Sequence, residues 1–271
     1  MKKRIKKMAR KLLPTFYTKL AMKKRDMIMD KFIKDYPNTV IFEAINKNER
    51  KLYSQDNQDY IIHKNFFKDK KDGFFCDIGG NHPININNTL YFEQLGWTGI
   101  AFEPLPHMSE LWQKNRKAKL FPFALSDTNK NVTFTVVKDT TGWEDMLSFI
   151  KETRDVKYDY KTEEIEIETK VFKDIMGREN ITYIDYLSLD VEGHELNILQ
   201  GIDFEKVQIN VLTVENNPPE NQWYGDENIR TLLINNNFVL WGRIVGLDDI
   251  YVHKDYLKNC TIQTDNKAKV C

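Results

Sequence analysis

Short apolar runs that end in an acidic residue recur along the chain. The clearest of them, each followed directly by an acid, are residues 74–76 before Asp77, residues 98–102 before Glu103 and residues 184–189 before Asp190. A short apolar run bounded by turn residues is typical of a strand that is buried on both faces of a parallel sheet. Amphipathic segments separate the runs, so strands and helices are predicted to alternate, as they do in the α/β class.

The full pattern predicts a Rossmann-like architecture. Strands are predicted at residues 74–78, 98–103, 120–125, 131–137, 163–169, 184–190, 210–214, 238–244 and 249–253. Helices are predicted at residues 18–36, 85–95, 105–117, 196–200 and 229–234, with two more helical segments between residues 41 and 71. A short turn at residues 245–247 joins the last two strands, which makes them an antiparallel hairpin. The predicted fold class is therefore three-layer α/β, with about seven mostly parallel strands, an antiparallel last strand and an N-terminal helical extension.

Length and composition limit the organisation of the chain. Its 271 residues suit one large domain, predicted at residues 51–258, between a basic helical extension at residues 1–50 and a polar tail at residues 259–271. The 40 basic and 40 acidic residues balance, so no overall field favours nucleic acid. The three cysteines lack metal-ligand spacing, and no apolar stretch approaches the roughly 18 residues of a membrane span. A cytoplasmic location is predicted.

The N-terminal segment carries a local excess of positive charge. Its lysines and arginines alternate with Ile5, Met8, Leu12 and Leu13 at helical spacing. A basic amphipathic helix can bind an anionic surface, so peripheral contact with the inner face of the membrane is one interpretation. A solvated terminus and an arm that packs in a homodimer are the alternatives. Nucleic acid is not predicted as a partner, because no stacking aromatic residues accompany the charge.

A glycine turn follows the first buried strand. Gly79 and Gly80 would let the backbone approach a ligand closely, and the next helix would point its positive end at the same place. Glu103, at the end of the next strand, can accept hydrogen bonds from both hydroxyls of a ribose. Asp127, which follows Ser126, can accept from an amino group such as that of adenine. These residues together predict a nucleoside-containing cofactor.

A second group of polar residues follows the strand at residues 184–190. Asp190, Glu192 and His194 are the predicted catalytic residues. His194 is the candidate general base, because a histidine has the ordinary pKa best suited to that role near neutral pH. In the alternative, His194 caps the next helix and one of the two acids is the base. His82, after the glycine turn, is the second candidate base and a candidate substrate-binding residue.

Oxygen-bearing side chains also follow the strand at residues 210–214. Glu215 and Asn216, together with Asp190, are a candidate ligand set for a divalent cation such as Mg²⁺ or Mn²⁺, which would bind acceptor oxygens and lower the pKa of one of them. In the alternative, Glu215 and Asn216 bind the acceptor directly. Residues 138–161 lack a clear period and are predicted to form a loop on the acceptor side, with Trp143 as a substrate-binding residue.

Four motifs carry a resemblance to a known family. They are DIGGNHP at residues 77–83, GWTGI at residues 96–100 followed by Glu103-Pro104, ALSD at residues 124–127, and LSLDVEGHE at residues 187–195. Between residues 53 and 253, the chain resembles the FkbM family of S-adenosylmethionine-dependent O-methyltransferases, and DVEG is the most specific part. In one respect it departs from class I methyltransferases, which usually have another glycine near Asn85.

The resemblance implies S-adenosylmethionine as the cofactor. The residues that it implies for cofactor binding, in order from the methionine part through the ribose to the adenine, are Asp77, Gly79, Gly80, Glu103, Pro104, Ser126 and Asp127. These include the acids and glycines that the strand pattern indicates independently.

The predicted function is methyl transfer to a hydroxyl of a carbohydrate, either a nucleotide-activated sugar or a unit of a surface polysaccharide. A polyketide or lipid-type hydroxyl is an alternative acceptor, because the family also methylates polyketides. A Rossmann-type NAD-dependent oxidoreductase is a further alternative, although Gly79 and Gly80 lack the G-x-G-x-x-G spacing. A non-catalytic scaffold at a membrane would leave the acids at the strand ends unexplained.

Overall fold

A computed structural model describes residues 14–138, 144–153 and 160–259 of the chain. The basic residues 1–13, Trp143 and residues 260–271 lie outside these ranges. The membrane contact and the dimer alternative that rest on the basic segment therefore stay predictions, as does the cytoplasmic location. Within the described ranges, no helix is both long and apolar enough to cross a bilayer.

The strands are numbered in chain order. They are β1 Val40–Phe42, β2 Phe74–Ile78, β3 Thr98–Phe102, β4 Lys119–Phe121, β5 Ala124–Ser126, β6 Lys130–Val137, β7 Phe149–Ile150, β8 Thr162–Val171, β9 Tyr183–Leu189, β10 Gln208–Glu215, β11 Phe238–Ile244 and β12 Asp248–His253.

The helices alternate with these strands. They are α1 Pro14–Asp35, α2 Gln58–Ile62, α3 Leu90–Gln94, α4 Pro106–Asn115, α5 Phe172–Glu179, α6 Glu195–Gln200, α7 Glu227–Asn235 and α8 Lys254–Asn259. A π-helical turn at His63–Phe67 continues α2, and 3₁₀ turns lie at Lys47–Glu49 and Glu144–Leu147.

The strands form two sheets. The main sheet has eight strands in the order β1-β11-β12-β10-β9-β2-β3-β4. β12 is antiparallel to both of its neighbours, and the other adjacent pairs are parallel. The second sheet has four strands in the order β5-β8-β6-β7. Its residues Phe134 and Ile150 pack in one apolar cluster with Leu105 and Trp112, so this sheet lies against the end of β3 and helix α4.

The α/β class is confirmed, but the main sheet has eight strands rather than about seven. β1 lies within the predicted helical extension of residues 1–50 and pairs with β11. The strand predicted at residues 120–125 is divided, because Pro122 has no N–H for a sheet hydrogen bond. β4 consequently pairs with β3, whereas β5 joins the second sheet.

The central strands are buried on both faces, as their apolar runs predict. Cys76 and Leu187 lie in one apolar cluster with Phe32 of α1, while Phe75 and Tyr186 lie in another. Successive side chains of a strand point to opposite faces, so the two clusters cover the two sides of the sheet. Helix α1 therefore packs on the main sheet through its C-terminal half.

The parallel strands β2, β3 and β9 end in register. Ile78, the last residue of β2, lies opposite Phe102 on one side and Leu189 on the other. The next residue on each strand is a glycine or an acid that the sequence analysis assigned to a site. The register therefore brings these residues to one edge of the sheet, where ligands of open α/β folds bind.

A buried ion network anchors β12 to its neighbours. The carboxylate of Asp249 pairs with Arg243 and accepts hydrogen bonds from Arg230 Nε at 2.9 Å, Asn216 Nδ2 at 2.8 Å and Tyr251 OH at 3.1 Å. Burial would raise the pKa of Asp249, but the charges of Arg243 and Arg230 hold it below its usual value. Arg243 also donates to the backbone oxygen of Asn216 at 3.2 Å, so the network fixes the segment after β10.

We expect Asp249→Asn to lower the free energy of unfolding by about 3–5 kcal/mol, because two buried arginines would lose their counter-charge. Denaturant unfolding measures this change. As a matched control, Asp26→Asn on the exposed face of α1 should change stability by less than about 0.5 kcal/mol. A loss at Asp249 no larger than that of the control would contradict a structural role for the network.

Candidate functional site

Two adjoining spaces open where β2, β3 and β9 end. The first, called the crevice, has an empty volume of about 540 Å³, part of it open to solvent, and is walled by residues that include Glu103, Leu125 and His194. The second, called the cleft, has an empty volume of about 1820 Å³ and is walled by residues that include Asp77 and Glu215. The residues common to both walls are Gly79, Asn81, Met146, Asp190 and Glu192. A ligand in the crevice would therefore face a ligand in the cleft across Asp190 and Glu192.

The glycine turn lies against the end of β9. Gly79 has φ +84°, and a Cβ on it would lie 1.8 Å from the backbone oxygen of Asp190. The backbone N–H of Asp190 donates to the backbone oxygen of Ile78 at 3.0 Å. Both the conformation and the contact require glycine at position 79, which explains why the turn can approach the acidic loop so closely.

Asp77 holds the segment after the glycine turn. Its Oδ2 accepts from Thr89 Oγ1 at 2.7 Å and from Asn87 Nδ2 at 3.3 Å. Burial raises the pKa of Asp77, and the hydrogen bond from Thr89 opposes that rise. Asn87 in turn accepts from the backbone N–H of Leu90 at 2.8 Å. This segment forms an ordered loop, so the helix predicted at residues 85–95 begins only at Leu90.

Glu103 reaches the crevice from the end of β3. It is 4% exposed, and its two oxygens accept backbone N–H groups from Asn81 and Leu105, each at 2.8 Å. Burial raises the pKa of Glu103 to about 7. Each carboxylate oxygen has a second lone pair, so the pair can still accept hydrogen bonds from a ligand. Pro104 continues the same wall of the crevice.

His194 lines the crevice, and Ser126, which does not line it, lies behind His194 as its hydrogen-bond partner. Its Nε2 is 2.9 Å from Ser126 Oγ, which also donates to Asp127 Oδ1 at 2.9 Å. Burial lowers the pKa of His194 to about 4. A serine has one hydroxyl proton, so when Ser126 donates to Asp127, Nε2 of His194 is the protonated nitrogen and Nδ1 is an acceptor. Asp127 itself is exposed and does not line the crevice.

Three carboxylates form the cluster where the crevice and the cleft meet. Asp190, Glu192 and Glu215 each place an oxygen within 4.8 Å of the others. Glu192 has φ +59°, and the turn that carries it is closed by Glu195, which accepts from the backbone N–H of Gly193 at 3.0 Å. Burial raises the pKa of Asp190 and of Glu215 well above the usual carboxyl range, and repulsion from the neighbouring carboxylates adds to the effect.

Other predicted site residues lie elsewhere or have different partners. Asn216 does not join the carboxylates, because its amide donates to Asp249 and its Oδ1 accepts the backbone N–H of Asp226. The residue that lies beside Asp190 and Glu215 is therefore Glu192 and not Asn216, while a bound cation stays a prediction. His82 accepts backbone N–H groups of the loop after it, at 3.0 and 3.1 Å, through Nδ1. Trp143 lies outside the described residues.

Three residues on the far wall of the cleft, Gln58, Asn217 and Asp248, were not predicted from the sequence. Gln58 Nε2 donates to Asp248 Oδ2 at 2.7 Å, and Asn217 Nδ2 donates to Glu215 Oε1 at 2.9 Å. Burial raises the pKa of Asp248 to about 6. Asp248 could have been predicted from the antiparallel direction of the last strand. The N-terminal end of such a strand lies at the edge where the parallel strands end, and Asp248 is at that end.

Comparison with known proteins identifies the family. The family model described as "Methyltransferase FkbM domain" matches residues 77–240. "Methyltransferase 1" of Beauveria bassiana (strain ARSEF 2860) is 27% identical over 171 residues, which cover 54% of this chain and 68% of that protein. No solved structure matches the chain significantly. The matched family segment covers more than half of the chain and contains the glycine turn, Glu103 and the three clustered carboxylates, and it shows that this protein belongs to the FkbM methyltransferase family.

Proposed function

We propose that this methyltransferase moves the methyl group of S-adenosylmethionine to a hydroxyl of a carbohydrate, such as a nucleotide-activated sugar or a surface polysaccharide unit. The observation that carries the proposal is the meeting of the crevice and the cleft at Asp190 and Glu192. A cofactor in the crevice would present its methyl group to an acceptor in the cleft at the point where carboxylates can take up a proton.

The crevice fits the nucleoside part of S-adenosylmethionine. Asn81 Oδ1 and His194 Nδ1 are buried and have no hydrogen-bond partner among the described residues. A buried acceptor without a partner is unfavourable, and the amino group of adenine and the ribose hydroxyls are donors that would satisfy such atoms. Glu103 supplies two further acceptor oxygens, and Leu125 supplies an apolar wall. The methionine part would extend toward Asp77 and Gly80 in the cleft.

The cleft fits an acceptor that carries many hydroxyl groups. Its wall is rich in amide side chains, which both donate and accept hydrogen bonds as hydroxyls do: Asn46, Gln55, Gln58, Asn87, Asn88 and Asn217. An apolar polyketide or lipid acceptor would need a mainly apolar wall. The family assignment replaces the oxidoreductase alternative, since it supports methyl transfer rather than hydride transfer.

The carboxylate cluster suits removal of the hydroxyl proton. Methyl transfer places the acceptor oxygen, the methyl carbon and the sulfur in line, so positioning supplies much of the rate. A carboxylate whose pKa is raised by burial is a stronger base than an ordinary one, which favours Asp190 or Glu215 as the base. His194 is less suited, because its pKa is lowered to about 4 and its ring is bonded to Ser126. We therefore propose that His194 contacts the cofactor in the crevice and is not the general base.

A divalent cation is part of the proposal for this cluster. Mg²⁺ and Mn²⁺ prefer oxygen ligands, and Asp190, Glu192 and Glu215 offer three. A cation there would favour the ionised carboxylates and would lower the pKa of an acceptor hydroxyl bound to it. The same residues thus support proton removal with or without the cation.

Glu103→Gln should raise the dissociation constant for S-adenosylmethionine by about 10-fold or more, because an amide donor replaces one acceptor oxygen. Calorimetric titration of S-adenosylmethionine, and separately of NAD, measures this. Glu110→Gln, at an exposed position of α4, is the matched control and should bind as the wild type does. Binding of NAD without binding of S-adenosylmethionine would refute the proposed cofactor.

Nucleotide-activated sugars and polysaccharide fragments should accept labelled methyl groups, whereas apolar alcohols should not. With the acceptor found in this way, Glu215→Gln should lower kcat at least about 100-fold and leave cofactor affinity unchanged, because a carboxylate that takes or shares the proton is lost.

The control for Glu215→Gln is Glu220→Gln, which changes an exposed residue nearby. A chelator-treated enzyme that recovers activity only with Mg²⁺ or Mn²⁺ would favour the cation route, and unchanged activity would favour a carboxylate base. Normal kcat in Glu215→Gln, or exclusive methylation of apolar alcohols, would contradict the proposal.

The ligand-free protein should become more stable as the pH falls from 8 to about 6.5. Burial raises the pKa of Glu103 to about 7 and those of Glu195 and Asp248 to about 6, whereas unfolded carboxyls titrate near 4. The folded state therefore binds more protons in this window, and its stability decreases as the pH rises through these pKa values. Thermal unfolding at several pH values measures the slope, which Glu103→Gln should reduce. An increase in stability from pH 6.5 to 8 would contradict these shifts.

A further inference from the structure

Arg50 stands out on the wall of the cleft by its charge. Among the described residues that line the cleft, it is the single cation. The same wall carries six carboxyl groups, from Asp56, Asp77, Asp190, Glu192, Glu215 and Asp248. The cleft therefore has one positive position in a mainly acidic surrounding.

The guanidinium of Arg50 has an unused donor in the described part of the chain. Its Nε is buried and makes no hydrogen bond there, although the residue as a whole is only half-buried. Its charge is felt at Asp56, where it opposes the rise in pKa that burial causes. Asp56 is nevertheless used by the backbone, since its Oδ1 accepts from the N–H of Ile45 at 2.9 Å. Arginine is seldom left without an acceptor when its donors are buried.

The backbone around Arg50 is held firmly on both sides. Before it, Asn46 accepts from the N–H of Asn48 at 3.0 Å and caps the turn Lys47–Glu49. After it, the side chain of Asn57 accepts from the N–H of Lys51 at 2.8 Å. The position of the arginine is thus defined by its neighbours, while its buried Nε is unused. Such an arrangement is pre-organised for a ligand.

We propose that Arg50 binds an anionic group, a carboxylate or a phosphate, of a small molecule in the cleft. The planar guanidinium matches the paired oxygens of these groups. The six carboxyl groups disfavour an anion elsewhere along the wall, so Arg50 also orients the ligand. The anionic group could come from two molecules, and their identity rests on the proposed function. One is the cofactor, through the carboxylate of its methionine part. The other is the acceptor, through an acidic group such as a uronate or a sugar phosphate.

Calorimetry with S-adenosylhomocysteine and with 5′-methylthioadenosine, which lacks the amino-acid part, tests the first source. Thermal shift with glucuronate and with inorganic phosphate, at matched ionic strength in chloride, tests the second. The variants are Arg50→Gln, Arg50→Lys and the control Arg178→Gln at an exposed position of α5. Because the buried Nε of Arg50 makes no hydrogen bond in the described chain, Arg50→Gln should retain the fold, which its thermal unfolding curve checks.

If the anion is the cofactor's, Arg50→Gln should weaken S-adenosylhomocysteine binding about 10- to 100-fold and leave methylthioadenosine binding unchanged. If it is the acceptor's, the variant should bind S-adenosylhomocysteine normally and lose the stabilisation by glucuronate or phosphate. In either case Arg50→Lys should be intermediate and Arg178→Gln should match the wild type.

Three results would overturn the assignment of Arg50. They are equal responses of Arg50→Gln and the wild type to every probe, an equal loss of S-adenosylhomocysteine and methylthioadenosine binding, and a wild type that responds to none of the anions. A wild type that responds to glucuronate or phosphate but not to S-adenosylhomocysteine would reject the proposed cofactor and still support the anion site.

Discussion

The close contact between the glycine turn and the end of β9 determines the geometry of the whole site. Since Gly79 has no side chain, the backbone of Asp190 can lie directly against it, and its N–H bonds to Ile78 at 3.0 Å. Strand register alone would bring the ends of β2 and β9 level. The contact also places the loop that carries Asp190 and Glu192 next to the glycine turn. These two residues therefore line both the crevice and the cleft.

Carboxyl groups removed from water are the second feature that shapes the site. Removing a carboxylate from water disfavours its charged form, and acids that share the space disfavour one another further. Two groups of carboxyls in this chain respond differently to removal from water. Asp249 is surrounded by arginines and stays ionised, whereas Asp190 and Glu215 lack such partners and have raised pKa values. The first arrangement keeps a carboxylate ionised, and the second leaves carboxyl groups that hold their protons more readily.

Charge is distributed unevenly along the wall of the cleft. The carboxylate cluster lies beside the crevice, and the segment that follows β1 contributes Arg50 and several amides to the wall. A polyhydroxylated ligand with one anionic group would match both features in a single orientation. The N-terminal region thus contributes to the site through residues that lie before the matched family segment, which begins at Asp77.

The sequence by itself determined the α/β class, the glycine turn and the acids at the strand ends, because parallel buried strands leave a strong apolar pattern and their carboxyl ends must share one edge. It also pointed to Asp190, Glu192 and Glu215. Only the tertiary structure decided that Glu192 joins the cluster in place of Asn216, that His194 faces Ser126, and that Arg50 lies in the cleft. Those outcomes depend on a left-handed turn at Glu192, on competition for buried hydrogen bonds and on contacts between distant segments, none of which has a local periodic signature.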